Sequence, residues 1–551
     1  MTDSDLARAS KLVAEGRLDE AGRLAAGHAD PRMRRILGYV LLQQGRLEEA
    51  RVAYEDVMRA LPGDSDSCNN LGNVMLGLER YDEAVAAFQQ AIRLRPDRVE
   101  VVFNLSEALG RAGRHADRQA VMRTAASIGG DDPAVQTELG LAEAAQFELA
   151  AAEAAFREAI RLDPGQLAAY LELGVLLENL NRTADLAALA DQAEAAGLGP
   201  ETAFLRAWSL RREGKFAEAL AVARAIPETI NPVRRAHLLA GLHDRLGDAA
   251  SAFAAFEAMN RASVAASPAP RGPTYRQAVA DNSARTTREW VAGWNPLELP
   301  SVPPAPVFIA GFPRSGTTLL DTLLMNLPAL HVMEEQPLMS AVERAIAPGA
   351  DIARMTADEA RLLRDHYFAT AAALSPAPQG RTLVDKHPLH MARMPLIHRL
   401  FPDARIILVE RHPCDAVLSC FMANFNLNAA MRSFVDLEEA ARTYDTVFEA
   451  WSRAEEMLPL RVHRIRYERM IADLAAELRP LLAFLGLPWD ARVLDNQTAA
   501  AGRGHVRTAS YSQVGEPLFT RAVGRWEAYR AQLAPVLPIL APWAERMGYR
   551  L

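Results

Sequence analysis

The sequence predicts a multidomain protein in which an all-α repeat solenoid is followed by an α/β domain built on a parallel sheet. At 551 residues the chain is long enough for several domains. The first half contains an internal repeat. The second half alternates short apolar runs with longer helical patterns, which is typical of parallel strands joined by crossover helices. A stretch with proline clusters at both ends and one short helical pattern, residues 264–304, predicts a linker between domains at 1–263 and 305–551.

The repeat has a constant step of 34 residues, which is the length of a tetratricopeptide repeat. In the best copy, small Ala84 and Ala91 stand where two helices approach closely, and Phe88 fills the space between them. We expect roughly seven helix pairs ending near residue 262, with a concave surface that recruits a partner. Each copy is marked by a leucine followed by glycine or serine, and these leucines are Leu37, Leu71, Leu105, Leu139 and Leu173.

Composition excludes several classes of function. The net charge of −8 gives no general attraction for nucleic acid. No apolar run is long enough to span a membrane, so no membrane segment is expected. The three cysteines, Cys68, Cys414 and Cys420, have neither metal-ligand spacing nor a paired framework. We therefore expect no metal site, and a reducing cytoplasm as the location.

Four predicted strands each lead into a polar or charged side chain. The strands are PVFIAGF, RTLVDK, ARIILVER and RVHRIRYE. In an open α/β sheet, ligands bind beyond the carboxyl ends of the strands. We therefore expect four side chains to meet in one crevice: Arg314, Lys386, Arg411 and Tyr467.

The first strand leads into GFPRSGTT, a turn that fits a phosphate-binding loop but has Thr317 where an ATP or GTP site has lysine. A tight turn into a helix N-terminus directs backbone N–H groups at an anion. Gly316 allows close approach, and Arg314 adds a cation. Hydroxyl donors come from Ser315, Thr317 and Thr318. Without the lysine, and with no evident acidic partner for magnesium, a triphosphate is poorly served.

A second anion site is predicted by RHPCDAVLS. Arg411 stands at a strand end, and Ser419 lies about two turns into the following helix. A guanidinium and a hydroxyl at that separation can bind a second phosphate. Asp415 is expected to cap the helix or to pair locally.

Together these two elements resemble the sulfotransferase superfamily, whose donor is 3′-phosphoadenosine 5′-phosphosulfate (PAPS). The similarity runs from about residue 305 to 551 and is strongest to the tyrosylprotein sulfotransferase branch and its bacterial relatives with tetratricopeptide repeats. It implies that the loop Arg314–Thr318 holds the phosphosulfate and that Arg411 and Ser419 hold the 3′-phosphate.

The same resemblance implies further donor contacts in RYE, TAS and GRW. Tyr467 corresponds to a tyrosine that contacts the nucleotide, and Ser510 and Arg525 correspond to donor-binding positions. Lys386 and Ser510 match groups that stabilise charge in the transition state. The cosubstrate PAPS requires no metal in this reaction.

The catalytic base is expected in HVMEEQP, which offers His331, Glu334 and Glu335. Glu335 aligns with the base of the tyrosylprotein branch and is the predicted base. Cytosolic small-molecule sulfotransferases use histidine, and His387 or His390 in DKHPLH keeps that alternative open.

Two departures from the family pattern leave other functions open. Ala423 stands where the tyrosylprotein branch has a donor-binding arginine, and Glu516 stands where relatives tend to be basic. The predicted activity is sulfuryl transfer to a peptide, protein or glycan hydroxyl that the repeats recruit. The alternatives are an interaction scaffold with an inactive transferase half, and a P-loop kinase that uses a nucleoside triphosphate.

Overall fold

The computed structural model describes residues 3–267, 272–378, 380–495 and 520–551. The chain divides into two compact units, Met1–Arg206 and Ala207–Leu551. The first unit is helical throughout. Its helices are α1 (Asp3–Ala14), α2 (Leu18–Ala26), α3 (Pro31–Gln43), α4 (Leu47–Ala60), α5 (Ser65–Gly77), α6 (Tyr81–Leu94), α7 (Val99–Arg111), α8 (His115–Ile128), α9 (Pro133–Ala145), α10 (Leu149–Leu162), α11 (Leu167–Asn179) and α12 (Thr183–Ala195).

The predicted repeat is confirmed by the spacing of these helices. The first helices of five successive pairs begin 34 residues apart, at Pro31, Ser65, Val99, Pro133 and Leu167. A Cβ at Gly72 would lie 2.5 Å from the Phe88 ring, and a Cβ at Gly140 would lie 2.5 Å from the Phe156 ring. The repeated glycine is therefore needed because an aromatic ring of the second helix packs directly on its Cα.

One copy of the repeat replaces this packing with polar contacts. Ser106 stands in the glycine position, and fully buried Met122 takes the place of the aromatic ring. Arg118 donates from Nε to the Ser106 hydroxyl at 2.9 Å and from Nη2 to Glu138 at 3.0 Å. The departure of this copy from the consensus therefore has a structural compensation.

The second unit begins within a helix of the repeat region and continues into the α/β fold. Within residues 3–267 the chain forms sixteen helices, or eight pairs, where about seven pairs were expected. The helices from the division to the sheet are α13 (Ala203–Arg212), α14 (Phe216–Arg224), α15 (Pro232–Arg245), α16 (Ala249–Ala265), α17 (Tyr275–Arg285) and α18 (Arg288–Ala292).

The sheet is parallel throughout, with helices between its strands, as the sequence predicts. Strand order is β2-β3-β1-β4-β5. The elements are β1 (Val307–Gly311), α19 (Thr317–Met325), β2 (Leu330–Glu334), α20 (Leu338–Ala345), α21 (Ala357–Leu374), β3 (Thr382–Lys386), α22 (Met394–Leu400), β4 (Arg405–Glu410), α23 (Pro413–Phe421), α24 (Leu437–Met457), β5 (Arg461–Arg466), α25 (Tyr467–Ala472), α26 (Leu474–Phe484), α27 (Arg530–Leu533) and α28 (Leu537–Arg546).

Alternation along the strands places a core on each face of the sheet. Val307 and Ile309 pack in one cluster with Leu320 of α19 and with α26. Phe308 packs on the opposite face with Trp451 of α24 and with α28. Burial on both faces explains why the strands read as continuous apolar runs.

The last helix pair before the proline-rich stretch packs within the second unit. Asn260 of α16 donates from Nδ2 to the backbone oxygen of Phe421 at 3.0 Å, and Phe253 stacks on the Phe421 ring with centroids 4.9 Å apart. The domain boundaries at 1–263, 264–304 and 305–551 stay predictions. The two compact units divide earlier in the chain, after Arg206. Among the described residues, every helix is too short or too polar to span a bilayer.

Candidate active site

The carboxyl ends of β1, β3 and β4 meet at one edge of the sheet. Ile309 is paired with Lys386, and Gly311 is paired with Val409. Arg411 directly follows β4, and the loop Phe312–Gly316 follows β1. The register therefore places at one edge the strand ends that the sequence had singled out.

The loop after β1 has a backbone that turns tightly into α19. Arg314 has φ of 68° and Gly316 has φ of 98°, so both are left-handed. A Cβ at Gly316 would overlap the ring of Tyr467, whose Cε2 would be 3.1 Å away. Ser315 and Thr317 are buried beside this turn. The loop thus presents a helix N-terminus and hydroxyl groups, as an anion site requires.

Two predicted anion ligands, Arg314 and Ser419, contact each other directly. Arg314 donates from Nε to the Ser419 hydroxyl at 3.3 Å. Arg411 donates from Nη1 to the backbone oxygen of Arg314 at 2.7 Å and from Nη2 to the backbone oxygen of Ala522. The Arg411 guanidinium also lies over the Tyr467 ring, 4.8 Å from its centroid. Arg411 therefore links the loop after β1 to the turn around Ala522, the C-terminal turn.

Asp415 joins that C-terminal turn to α23. Its two carboxylate oxygens accept hydrogen bonds from the backbone N–H groups of Gly524 and Trp526, each at 2.8 Å. The expected local role of Asp415 is wrong, because its partners lie 109 and 111 residues away and the His412 ring caps α23 instead. Burial raises the pKa of Asp415. Asp415 thereby fixes the backbone on both sides of Arg525.

Three arginines from separate segments of the chain lie close together. Burial lowers the pKa of Arg314, and the nearby charges of Arg411 and Arg525 lower it further. Arginine stays charged in proteins, so the fold keeps a buried cation here with further cations near it. The arrangement favours an anion that all three can approach.

The neighbouring acidic site is organised around Lys386. This side chain is fully buried, and its Nζ lies 3.1 Å from Asp321 Oδ2, 3.1 Å from Glu334 Oε1 and 3.0 Å from Glu335 Oε1. It also lies 3.5 Å from the Thr318 hydroxyl. Burial alone would lower the pKa of Lys386, but the three carboxylates override it and raise the pKa. Lys386 therefore connects Thr318, at the start of α19, with the predicted base Glu335.

Glu335 is the carboxylate of this group that solvent reaches. Its side chain is 30% exposed, against 8% for Glu334 and none for Asp321. The residue has φ of 46°, and its N–H donates to the backbone oxygen of Lys386 at 2.7 Å. This geometry exposes one carboxylate to solvent, whereas the other two are buried.

The histidine alternatives are held by other contacts. His331 lies with Nε2 3.1 Å from the backbone oxygen of Ser375. His390 is fully buried, with Nε2 3.1 Å from Asp385 Oδ1. His387 accepts a hydrogen bond at Nδ1 from the N–H of Leu389, and burial lowers its pKa well below the ordinary value. His390 is fully buried, whereas His331 and His387 are half-buried like Glu335, and each of these three histidines has a ring nitrogen close to another group of the protein.

Sequence reasoning missed two parts of the site. β2 was absent from the predicted strands, although it leads into Glu335. Asp321 was not singled out, and the signal for it was a single acid in the apolar helix TTLLDTLLM.

Ser510 and Glu516 lie outside the described residues. Among those described, no cluster of three or more metal-ligating side chains is placed to hold an ion.

Both halves of the chain are similar to known proteins. A sulfotransferase family model matches residues 306–491, and tetratricopeptide repeat models match residues 6–65 and 65–98. Protein-tyrosine sulfotransferase 1 of Danio rerio is 26% identical over 267 residues, which cover 44% of this chain and 72% of that protein.

Two bacterial relatives match over a smaller part of their own length. An uncharacterized protein of Aquifex aeolicus is 28% identical over 251 residues, covering 43% of this chain and 32% of that protein. Nodulation protein NoeE of Sinorhizobium fredii is 30% identical over 215 residues, covering 34% of this chain and 51% of NoeE. The chain therefore combines tetratricopeptide repeats with a sulfotransferase-family domain, which confirms the predicted resemblance.

Proposed function

We propose that this protein is a PAPS-dependent sulfotransferase that moves a sulfuryl group to an acceptor hydroxyl. The observation that carries the proposal is the contact of Arg314 with Arg411 at the N-terminus of α19, with Arg525 on the turn that Arg411 and Asp415 hold. The sulfotransferase family match covers the loop and the first two of these arginines. Cations from three segments, a helix N-terminus and buried hydroxyls together suit a ligand with two anionic groups.

The side chains at this edge fit the two anionic groups of PAPS. Arg314, Ser315 and Thr317, with the loop amides at Gly316, would hold the 5′-phosphosulfate. Arg411 and Ser419 would hold the 3′-phosphate, and the buried Nε of Arg411 has no hydrogen-bond partner among the described residues. An unpartnered buried donor is costly unless a ligand accepts from it. Arg525, on its fixed turn, would supply a further cation.

The remaining predicted residues fit the periphery of the same ligand. Thr318 is buried at the start of α19, where its hydroxyl reaches Lys386 at 3.5 Å. The Tyr467 ring lies between Gly316 and the Arg411 guanidinium, so it would shape the nucleotide pocket. Ser510 keeps its proposed role on the resemblance alone.

Glu335 is the proposed base. Bound PAPS would supply the sulfuryl group: the acceptor oxygen would lose its proton and bond to sulfur, the bond between sulfur and the 5′-phosphate oxygen would break, and adenosine 3′,5′-bisphosphate would leave. Glu335 is exposed enough to accept that proton, and its hydrogen-bonded contact with Lys386 holds it at the end of β3. Proton acceptance would leave Lys386 with one fewer anionic neighbour, so its charge would become more available to the reacting oxygens.

The acceptor class proposed is a protein, peptide or glycan hydroxyl recruited by the repeats. Relatives named protein-tyrosine sulfotransferase support a tyrosine acceptor. Repeat arrays of this kind present a concave surface suited to an extended partner. We also propose the cytoplasm as the location, which is supported by the three free buried thiols, Cys68, Cys414 and Cys420.

The donor is tested by thermal shift of the full chain. Adenosine 3′,5′-bisphosphate should raise the melting temperature, and ATP with magnesium should not. Stabilisation by magnesium-ATP alone would favour the P-loop kinase. Failure of any adenosine 3′-phosphate to bind would favour the inactive scaffold.

The base is tested by transfer of labelled sulfate from PAPS to peptide, glycan and cell-extract acceptors. Glu335→Gln should lower kcat by about 10²–10⁴-fold, which is the usual contribution of a general base. Glu334→Gln is the matched control, because it removes one negative charge beside the same Lys386 from a side chain that is only 8% exposed. Equal losses in both variants would show that Glu335 acts only by pairing with Lys386.

A further inference from the structure

We propose that Asp244, in α15, is a positioning residue for the donor site and acts through Arg525. This inference rests on the proposed donor-binding role of Arg525. Its consequence is that the helical region before the sheet contributes directly to donor affinity, in addition to any role in recruiting an acceptor.

Asp244 makes a two-point contact with Arg525. The distances are 3.2 Å from Nε to Oδ1 and 2.9 Å from Nη2 to Oδ2. The Tyr529 hydroxyl donates to the same Oδ1 at 2.6 Å. Both carboxylate oxygens are therefore engaged, and the guanidinium plane is fixed along its Nε–Nη2 edge.

The contact leaves donor capacity on Arg525 for a ligand. A guanidinium has five N–H donors, and Asp244 takes the Nε edge. Asp244 contacts Nε and Nη2 but not Nη1, and the Arg525 side chain is 31% exposed. The turn that carries Arg525 is tied to the loop after β1 by Arg411, which donates to the backbone oxygens of both Arg314 and Ala522. The Nη1 edge is thus available for an anion at that loop.

The backbone and the side chain of Arg525 are fixed independently. Asp415 holds the N–H groups of Gly524 and Trp526, on either side of the arginine. Asp244 holds the guanidinium. Because an arginine loses rotamer freedom when it binds a phosphate, prior fixation removes part of that cost and tightens binding.

The position of Asp244 does not depend on the ion pair. The α15–α16 pair is anchored to the same unit by the Asn260 hydrogen bond to the oxygen of Phe421 and by the stacking of Phe253. A partly exposed ion pair contributes little to folding stability. Substitution of Asp244 should therefore change ligand binding more than it changes the fold.

Two effects of Asp244 on a phosphate oppose each other. The carboxylate orients Arg525, but its negative charge also repels the ligand. Asp244→Ala removes both effects, whereas Asp244→Asn removes the charge and keeps an oxygen that can accept from Nε. We expect orientation to dominate, because both oxygens are bonded and Nη1 stays available.

The test measures the Kd of adenosine 3′,5′-bisphosphate for the full chain by calorimetry. Asp244→Ala should raise the Kd about 10-fold, and Asp244→Asn about threefold, as expected for partial loss of a preorganised charged contact. With PAPS as substrate, the KM for PAPS should rise while kcat changes less. Asp248→Ala is the control, because this acid of the same hairpin caps α16 through the N–H of Ser251 and lies 3.3 Å from Nδ1 of His243; it should leave the Kd unchanged.

A double-mutant cycle separates positioning from a structural role. In the Arg525→Ala background, Asp244→Ala should cause no further rise in Kd. A further rise of the same size, or an unchanged or lower Kd in Asp244→Ala alone, would overturn the inference. If Arg525→Ala itself leaves the Kd unchanged while the wild-type chain binds, the donor-binding role of Arg525 is overturned, and the inference with it.

Discussion

Gly316→Ala tests whether the loop after β1 depends on its left-handed glycine. A side chain at φ of 98° costs about 1–2 kcal/mol in the left-handed region. The new Cβ would also overlap the ring of Tyr467, which is 8% exposed and packed under Arg411. Overpacking of this kind costs about 1–3 kcal/mol. The two terms together give about 3 kcal/mol.

The assay is the melting temperature of the full chain, followed by nucleotide binding. At about 2 °C for each kcal/mol in a unit of this size, the variant should melt about 6 °C lower. Gly349→Ala is the matched control, because Gly349 has φ of 78° and a Cβ there meets nothing within 4 Å. Its melting temperature should fall only by the contribution of backbone strain, about 2–4 °C. Equal losses in the two variants would refute the packing of Tyr467 on the loop.

Three other predictions concern buried polar groups of the second unit. Lys386→Met should lower the free energy of unfolding by about 3–5 kcal/mol in denaturant, because it leaves three clustered carboxylates without their cation; unchanged stability would contradict the ion cluster. Asn260→Leu should cost about 1–3 kcal/mol, because the buried backbone oxygen of Phe421 loses its donor; Asn282→Leu, at an exposed position of α17, is the control, and equal melting temperatures would contradict the contact. The pKa of His387 in the folded chain lies well below its ordinary value of 6.5. Below about pH 6.5 the unfolded chain therefore takes up a proton that the folded chain does not. As far as His387 contributes, the free energy of unfolding should be constant above that pH and should fall as the pH decreases below it. His387→Gln should reduce that slope in denaturation curves at pH 5.5 and 7.5, and an unchanged slope would assign it to other groups.

The strand ends show how far local pattern predicts a site. Arg314, Lys386 and Arg411 could be placed at one sheet edge from the sequence, because parallel strands are continuous apolar runs and their carboxyl ends must meet. β2 could not be recognised in this way, since the five residues LHVME are too short to show a period. The strand that was missed is the one that carries Glu335.

Contacts between distant segments explain the other differences. Asp415 looked like a helix cap because Asp near a helix start usually caps it, but its partners are Gly524 and Trp526. Lys386 and Asp321 are 65 positions apart in the chain, and their ion pair follows from the packing of α19 against the sheet. Neither contact leaves a periodic signal in the sequence.

The sequence by itself determined the repeat, the parallel sheet, the tight turn from β1 into α19 and the residue types at the strand ends, because each depends on spacing along the chain. Only the tertiary structure decided which charges face each other. Asp244 and Arg525 are 281 residues apart, yet they form one ion pair. Such pairs depend on how whole helices pack, since long-range packing fixes distances that no local pattern encodes.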